Sequence, residues 1–366
     1  MTAPRLEIDL QKIHHNARTL VERLAGRGIS VTGVTKATLG SSEIAGTLLG
    51  AGVSALGDSR IENIAAMRRA GVRAPLTLIR SPMLSQAQRV VAHADVSFNT
   101  ELDVISKLSC AAQKARRTHG VVVMVELGDL REGIMPGELD RTVRQILRFP
   151  NISLKGIGTN LACRSGVSPD ARNMSELSTL ATSIEATFGL TVAIVSGGNS
   201  ANLTWALGDA DTGRINDLRL GESILLGRET LHRQPIDGLH LDAITLVAEV
   251  IESKVKPSLP WGELAQTAFG EKPPVADRGE IFQTILAIGQ QDTDPCGLHV
   301  TAGMEMLGNS SDHLVVSGSS LLSVGAEVRF QLNYSALLRA MTSPYVTKVI
   351  RSQSNRVPAA LSGITP

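Results

Sequence analysis

Five short stretches of this chain place reactive or anion-binding side chains directly after apolar runs. Lys36 follows one in Val34-Thr35-Lys36-Ala37, Arg131 another in Asp129-Leu130-Arg131-Glu132-Gly133, and Thr159-Asn160 a third. Ser196-Gly197-Gly198-Asn199-Ser200 and Leu218-Arg219-Leu220-Gly221-Glu222-Ser223 complete the set. A neutral lysine amine is a nucleophile and a base, whereas arginine is a donor that keeps its proton and suits carboxylate or phosphate. The Gly-Gly-Asn-Ser turn offers close backbone approach, amides and a hydroxyl at a helix start, which suits a phosphate dianion. Taken singly, each stretch has an ordinary alternative: a solvated lysine, a surface ion pair, a glycine turn that only admits a helix. The two glycine turns, following consecutive apolar runs near the end of a repeated pattern, point together to a phosphorylated ligand.

The elements that must carry these residues are legible as alternation. After Leu6, Ile8 and Leu10 and an amphipathic stretch at 11–24, short apolar runs alternate with helical patterns. Strands are expected at 29–34, 54–57, 76–79, 95–98, 121–127, 154–158, 192–195 and 217–220, each except the last followed by a helix, such as 101–116 or 138–148. Eight such units are the arithmetic of an α/β fold of the (β/α)8 TIM-barrel type, with an open doubly wound sheet as the alternative. From about Pro235 onward β-branched runs replace helical patterns, at 243–252, 284–288, 313–316 and 327–332. The expected organisation is a barrel over 11–234, a β-rich domain over 235–351 that strand 1–10 joins, and a loose tail at 352–366.

Composition bounds the function. The 366 residues are 43% hydrophobic, enough for a barrel of about 250 residues plus a second domain. Lys and Arg number 36 against 35 Asp and Glu, and aromatic residues make up 3%. A nucleic-acid surface or an anionic-membrane surface is therefore not expected. Cys110, Cys163 and Cys296 are odd in number and have no Cys-x-x-Cys spacing, which argues against a disulfide framework or a structural zinc. With no signal-peptide pattern at the N-terminus and no run long enough to span a bilayer, a cytoplasmic protein is expected.

The chain resembles the alanine racemase family of fold-type III pyridoxal-phosphate enzymes, and within it the ornithine and basic-amino-acid racemase branch. The resemblance rests on Glu7-Ile8-Asp9-Leu10 with His15-Asn16, on Thr35-Lys36, and on Leu127 to Ile134 around Arg131. It continues through Gly156 to Asn160, Ser196 to Ser200, Asp217 to Thr230, Leu307 to His313, and Asn333-Tyr334 to Tyr345. Each motif is short, but their order and spacing span nearly the whole chain.

The resemblance implies a pyridoxal 5′-phosphate cofactor held as a Schiff base on Lys36, which then acts as a base at the substrate α-carbon. It places Arg219 against the pyridine nitrogen, where a donor-only guanidinium leaves that nitrogen unprotonated and weakens the ring as an electron sink. Arg131 is expected at the cofactor's phenolic oxygen or the substrate carboxylate. Asn160 stands where alanine-specific members carry a histidine against the ring. Asn199, Ser200 and Gly221 are expected around the phosphate, with Tyr334 reaching the same region. Ser311 and Asp312 occupy a position near the substrate carboxylate.

A second departure concerns the opposite face. Alanine racemases place a partner-subunit tyrosine there, but the matching stretch here is Thr267-Ala268-Phe269-Gly270. The role falls to Tyr334, Tyr345, Thr267, a nearby aspartate or water. For a basic substrate a distal carboxylate is needed, because an unpaired buried ammonium is costly. Asp292, and after it Asp294, is the candidate, following Leu286-Ala287-Ile288-Gly289-Gln290-Gln291.

The expected protein is a homodimeric amino-acid racemase with composite sites, acting on ornithine or lysine. Two rivals stand beside it. One is a pyridoxal-phosphate-binding homeostasis protein, to which Gly57-Asp58-Ser59-Arg60-Ile61-Glu62-Asn63 bears a likeness, although such proteins generally lack a β domain. The other is a lyase on the same scaffold, which usually adds a metal site; no metal is expected here.

Overall fold

The computed structural model describes residues 2–270, 276–300 and 303–351, so the expected tail at 352–366 lies outside the described residues. Two compact units are present, one formed by Ile13–Leu241, the other by the first twelve residues together with the chain from Asp242 onward.

The first strand, β1 (Arg5–Asp9), belongs to the second unit, and the next eight form the barrel: β2 (Ser30–Val34), β3 (Ala55–Asp58), β4 (Leu76–Leu78), β5 (Val96–Asn99), β6 (His119–Met124), β7 (Ile152–Gly158), β8 (Ile194–Gly198) and β9 (Asp217–Leu220). They pair in parallel in chain order, and β2 closes on β9 with Ser30 opposite Asp217 and Gly33 opposite Leu220. Strands covered on both faces need no alternation, and β6 is buried at every position. Phe98, Val122 and Met124 cluster with Val96 and Ile194, while the helix Leu102–Lys114 buries Ile105, Leu108, Ala111 and Ala112.

Two boundaries differ from the sequence reading for physical reasons. Strand β6 stops at Met124 because the chain folds back on itself, with Glu126 N–H donating to Ile134 O (3.0 Å) and Ile134 N–H to Met124 O (2.8 Å). After β9 a helix does form, Glu222–Leu226, but five residues are too few to display a helical period.

The second unit is a sheet of β10 (Ile244–Pro257), β11 (Glu280–Leu286), β12 (Leu298–His299), β13 (Glu305–Asn309), β14 (Leu314–Gly318), β15 (Glu327–Leu332) and β16 (Thr347–Arg351), together with β1. Strand β1 runs antiparallel to β10 and parallel to β16. Glu7 on β1 is buried and meets Arg5 (2.7 Å), Arg329 (2.5 Å) and Arg351 (2.7 Å). Burial alone would raise its pKa, but hydrogen bonds from Arg329 and Arg5 hold it below the usual carboxylate range. Among the described residues no helix is long and apolar enough to cross a membrane.

Candidate active site

Lys36 opens a short helical turn, Lys36–Thr38, immediately beyond β2. The preceding Thr35 is fully buried; its N–H donates to Gly57 O (2.9 Å) and its hydroxyl to Asp58 Oδ2 (2.8 Å). The Lys36 side chain is open to solvent by area, yet enough protein surrounds it to lower its pKa by desolvation. That combination describes an amine in a recess. Cys163, Asp58 and Glu222 act against the lowering, and Arg131 adds to it.

On the neighbouring strand β9, Arg219 pairs in register with Thr32 of β2 and is 4% exposed. It donates to Ser196 Oγ (2.5 Å), Thr159 O (2.7 Å) and Asn160 Oδ1 (3.2 Å), and its guanidinium lies 5.0 Å from the Phe98 ring centre. Ser196 in turn donates to Asp217, which also accepts from Thr32 Oγ1 (2.7 Å). Burial pushes the Arg219 pKa down to about 10, with Asp217 acting the other way. The guanidinium still keeps its proton near neutral pH.

The turns after β8 and β9 meet. Ser200 Oγ lies 3.0 Å from Ser223 Oγ and accepts from Ser223 N–H (3.3 Å). Asn199 caps its own turn by accepting from Ala201 N–H (2.7 Å), and its amide donates to Asn160 Oδ1 (3.1 Å) and Leu161 O (2.9 Å). Gly198 has φ +146°, and a Cβ there would stand 2.1 Å from Asn202 Oδ1. A Cβ on Gly221 would come within 3.1 Å of Val34 Cβ at the end of β2. The glycines therefore let the two turns pack closely, Gly198 against its own loop and Gly221 against the end of the Lys36 strand, and the joined turns form a small cradle there. Asn160 Oδ1 accepts from both Asn199 and Arg219, which fixes its amide orientation and leaves the buried Nδ2 with no hydrogen-bond partner among the described residues. A spare donor, a two-glycine cradle and an amine in a recess at one rim fit pyridoxal phosphate.

Arg131 differs from the expectation of an arginine waiting for a ligand. It is paired in a fork with neighbouring Glu132 and also donates to Cys163 Sγ. Burial would lower its pKa, but Glu132 and Cys163 raise it. Its loop is held by Glu126, which accepts from the N–H groups of Gly128 (2.6 Å), Leu130 (3.0 Å) and Arg131 (3.2 Å). Asp129 holds the facing loop, accepting from Cys163, Arg164 and Ser165 N–H. Sequence reasoning missed Asp58 and gave Cys163 no role. The signal for Asp58 was there, an acid at the very end of a buried strand.

The remaining candidates lie in the other unit. Tyr334 begins the helix Tyr334–Thr342, capped by Asn333, and Tyr345 is 71% exposed. Thr267 lies exposed in the chain after β10. Ser311 and Asp312 form the turn between β13 and β14, where Ser310 and Ser311 hydroxyls donate to Asp312 Oδ1 (both 3.1 Å). The 289–292 segment packs on that turn, with Gln290 and Gln291 N–H donating to Ser310 and Ser311 O (both 3.0 Å). Asp292 corrects the expectation of a ligand-facing carboxylate. It is 5% exposed, and its oxygens accept from Ser343 Oγ (3.0 Å) and Gly289 N–H (3.4 Å), so it ties a turn to the end of a helix. Asp294 caps the turn that follows it, accepting from Cys296 N–H (3.2 Å).

A closed parallel barrel with a recessed lysine after its first strand, a glycine cradle after its last two and a buried arginine between them defines a pyridoxal-phosphate barrel enzyme. A family model described as alanine racemase, N-terminal domain, matches residues 8–228. The chain is 40% identical over 354 residues to a lysine racemase of Thermotoga maritima, covering 95% of this chain and 99% of the relative. It is also 40% identical over 352 residues to an ornithine racemase of Acetoanaerobium sticklandii, covering 94% and 99%. The fold is shared with the alanine racemase of D-cycloserine-producing Streptomyces lavendulae (TM-score 0.75, 18% identity, 96% and 98% covered). A D-threonine aldolase from Filomicrobium marinum shares it too (TM-score 0.74, 15% identity, 93% and 89% covered). The chain belongs to the alanine racemase family, whose members depend on pyridoxal 5′-phosphate.

Proposed function

We propose that this protein racemises basic amino acids, ornithine and lysine, with pyridoxal 5′-phosphate attached to Lys36. The observation that carries the reading is the single rim on which the Lys36 recess, Arg219 and the Ser200–Gly221 cradle meet, in a chain 40% identical along its length to a lysine racemase and an ornithine racemase. When bound, the cofactor supplies imine formation with amines and acidifies the substrate α-hydrogen.

Lys36 has two tasks in this reading: it holds the cofactor, and once displaced it takes and returns a proton at the substrate α-carbon. Both need the neutral amine, which desolvation favours. Ser200, Gly221 and Asn199 would hold the phosphate end. Arg219 donates without giving up its proton, and the spare Asn160 Nδ2 adds a second donor beside it. Arg131 would receive a substrate carboxylate in exchange for Glu132. Tyr334 enters the same reading as a residue reaching the phosphate, and Ser311 and Asp312 as partner-contributed residues, with the active form a cytoplasmic homodimer whose sites are composite.

The test is to incubate the purified protein with single L-amino acids and resolve the products by chiral chromatography. D-ornithine and D-lysine should accumulate fastest, and borohydride should fix phosphopyridoxyl mass on the peptide containing Lys36. A preference for alanine overturns the basic-substrate assignment; no stereochemical change in any amino acid overturns the racemase.

A further inference from the structure

The segment from Gly57 to Asn63 has no part in the function proposed above, yet it adjoins the lysine. Strand β3 lies beside β2 with Gly57 opposite Val34, so its last residue, Asp58, ends level with the Thr35–Lys36 step. Asp58 is fully buried. Its Oδ2 accepts from Thr35 Oγ1 (2.8 Å), and its Oδ1 from Arg60 N–H (2.9 Å) and Asn63 Nδ2 (3.0 Å). Burial pushes the Asp58 pKa above the usual carboxylate range, and the hydrogen bonds from Arg60 N–H, Thr35 and Asn63 act the other way. Each of these neighbours is a donor, as an ionised carboxylate requires.

The same residues enclose the turn that carries Lys36. Thr35 O accepts from Thr38 N–H (2.9 Å), Thr38 Oγ1 (3.0 Å) and Gly40 N–H (3.2 Å), so the turn is tied to the residue that Asp58 holds. At Gly40 a Cβ would stand 2.7 Å from Asn63 Cβ, which packs the far end of the turn against the side chain that donates to Asp58. The contacts form a ring: Asp58 to Thr35, through the Lys36 turn to Gly40, to Asn63 and back to Asp58.

Charge gives the ring a second consequence. The groups that act on the Lys36 amine are Cys163 and Arg131 from the loops after β7 and β6, Glu222 from the helix after β9, and Asp58 from β3. Burial and Arg131 disfavour the ammonium form; Cys163, Asp58 and Glu222 favour it. Glu222 shares its charge with Arg233, whereas the contacts at Asp58 described above come from neutral donors.

We propose that Asp58 is a positioning residue for Lys36: through Thr35 and Asn63 it fixes the turn from which the lysine side chain starts, with its carboxylate set level with that turn. The inference rests on the reading of Lys36 as the cofactor lysine.

The test uses the full chain stripped of cofactor with hydroxylamine and then mixed with pyridoxal 5′-phosphate over a series of pH values. The rate of imine formation is followed by absorbance, and the labelled peptide is identified after borohydride reduction. In Asp58→Asn the pH profile should move to lower pH, so that the rate near pH 7, relative to the alkaline plateau, rises about threefold. Thr35→Val keeps the charge but loses the hydroxyl contact; it should slow capture about tenfold at every pH, with Thr35→Ser close to wild type. A folded Asp58→Asn protein with an unmoved profile makes Asp58 purely architectural and overturns the inference. Should Asp58→Asn fail to fold, wild-type capture rates in Thr35→Val overturn it instead. Labelling of a different lysine in the wild type is a separate failure, that of the function proposed above.

Discussion

Replacing Arg219 with methionine tests whether the barrel holds this arginine for stability or for chemistry. The substitution removes the guanidinium donor from Ser196 Oγ, Thr159 O and Asn160 Oδ1, commonly a cost of about 1–3 kcal/mol for buried acceptors. Asp217 keeps its hydroxyl donors, Thr32 and Ser196. Arg219, however, is itself held against its preference. A fall in pKa from 12.5 to about 10 means that folding penalises the guanidinium, net of its partners, by about 3 kcal/mol. Methionine relieves that penalty while leaving the stem volume nearly intact. The two effects oppose each other at similar size, so the urea midpoint of the cofactor-free chain should move by no more than about 1–2 kcal/mol in either direction. Racemisation should fall at least about a hundredfold, because the proposed function gives Arg219 the donor role at the cofactor. Small stability change with large activity loss is the signature of a charge retained for function. A destabilisation above about 3 kcal/mol would refute the energetic reasoning, and unchanged turnover would refute the role.

Acid should destabilise the barrel through His119. This residue is 1% exposed with its Nε2 at 2.8 Å from Ser97 Oγ, and burial pushes its pKa from 6.5 down to about 4. The folded chain thus keeps the ring neutral where the unfolded chain protonates it, so stability present above about pH 6.5 is lost as pH falls towards about 4, by up to about 3 kcal/mol. His119→Gln should flatten that part of the urea-midpoint profile, and identical slopes in variant and wild type would remove His119 from the explanation. Asp292→Asn keeps the shape of a turn-holding carboxylate but mispairs one of its two donors, Ser343 or Gly289. It should lower stability by about 1–2 kcal/mol and leave the ratio of kcat/KM for ornithine to that for alanine unchanged. A selective rise in KM for ornithine would return Asp292 to the substrate.

The barrel was legible because each of its strands is an apolar run followed, in all but the last case, by a helix long enough to show a period. The β-rich unit was less so. Strand β13 is half-buried or exposed at every position and bulged near Gly308, so it has no alternation to read, and β12 is two residues long. Strand β16 pairs with β1 across almost the full length of the chain, a contact that no local pattern announces. At the site, the polar strand ends Lys36, Asn160, Ser200 and Arg219 stood out because apolar runs framed them. Asp58 did not, since its meaning depends on Thr35 in the neighbouring strand. Asp292 was read as a carboxylate free for a ligand because nothing near it in the sequence reveals its partner: the hydroxyl that holds it belongs to Ser343, fifty-one positions away.

The way the mouth loops are anchored bears on how Arg131 can serve a ligand. Glu126 and Asp129 both direct their oxygens at backbone N–H groups, three in each case, rather than at cations. Backbone donors cannot rotate away, so each carboxylate fixes the path of a loop without drawing on an arginine. Arg131 is left with Glu132 and Cys163, side chains on the two loops so held. In the proposed function an incoming substrate carboxylate would therefore compete with one glutamate for the fork and would not have to dismantle either loop. The expense of binding is a rotamer change at Glu132, on the order of 1 kcal/mol, instead of a backbone rearrangement. The same exchange would turn the displaced Glu132 carboxylate loose beside the bound amino acid, where it must find water or a cation. Under the proposed function a second ammonium group on the substrate would be one such cation, which would make a basic amino acid a better fit to this mouth than a neutral one.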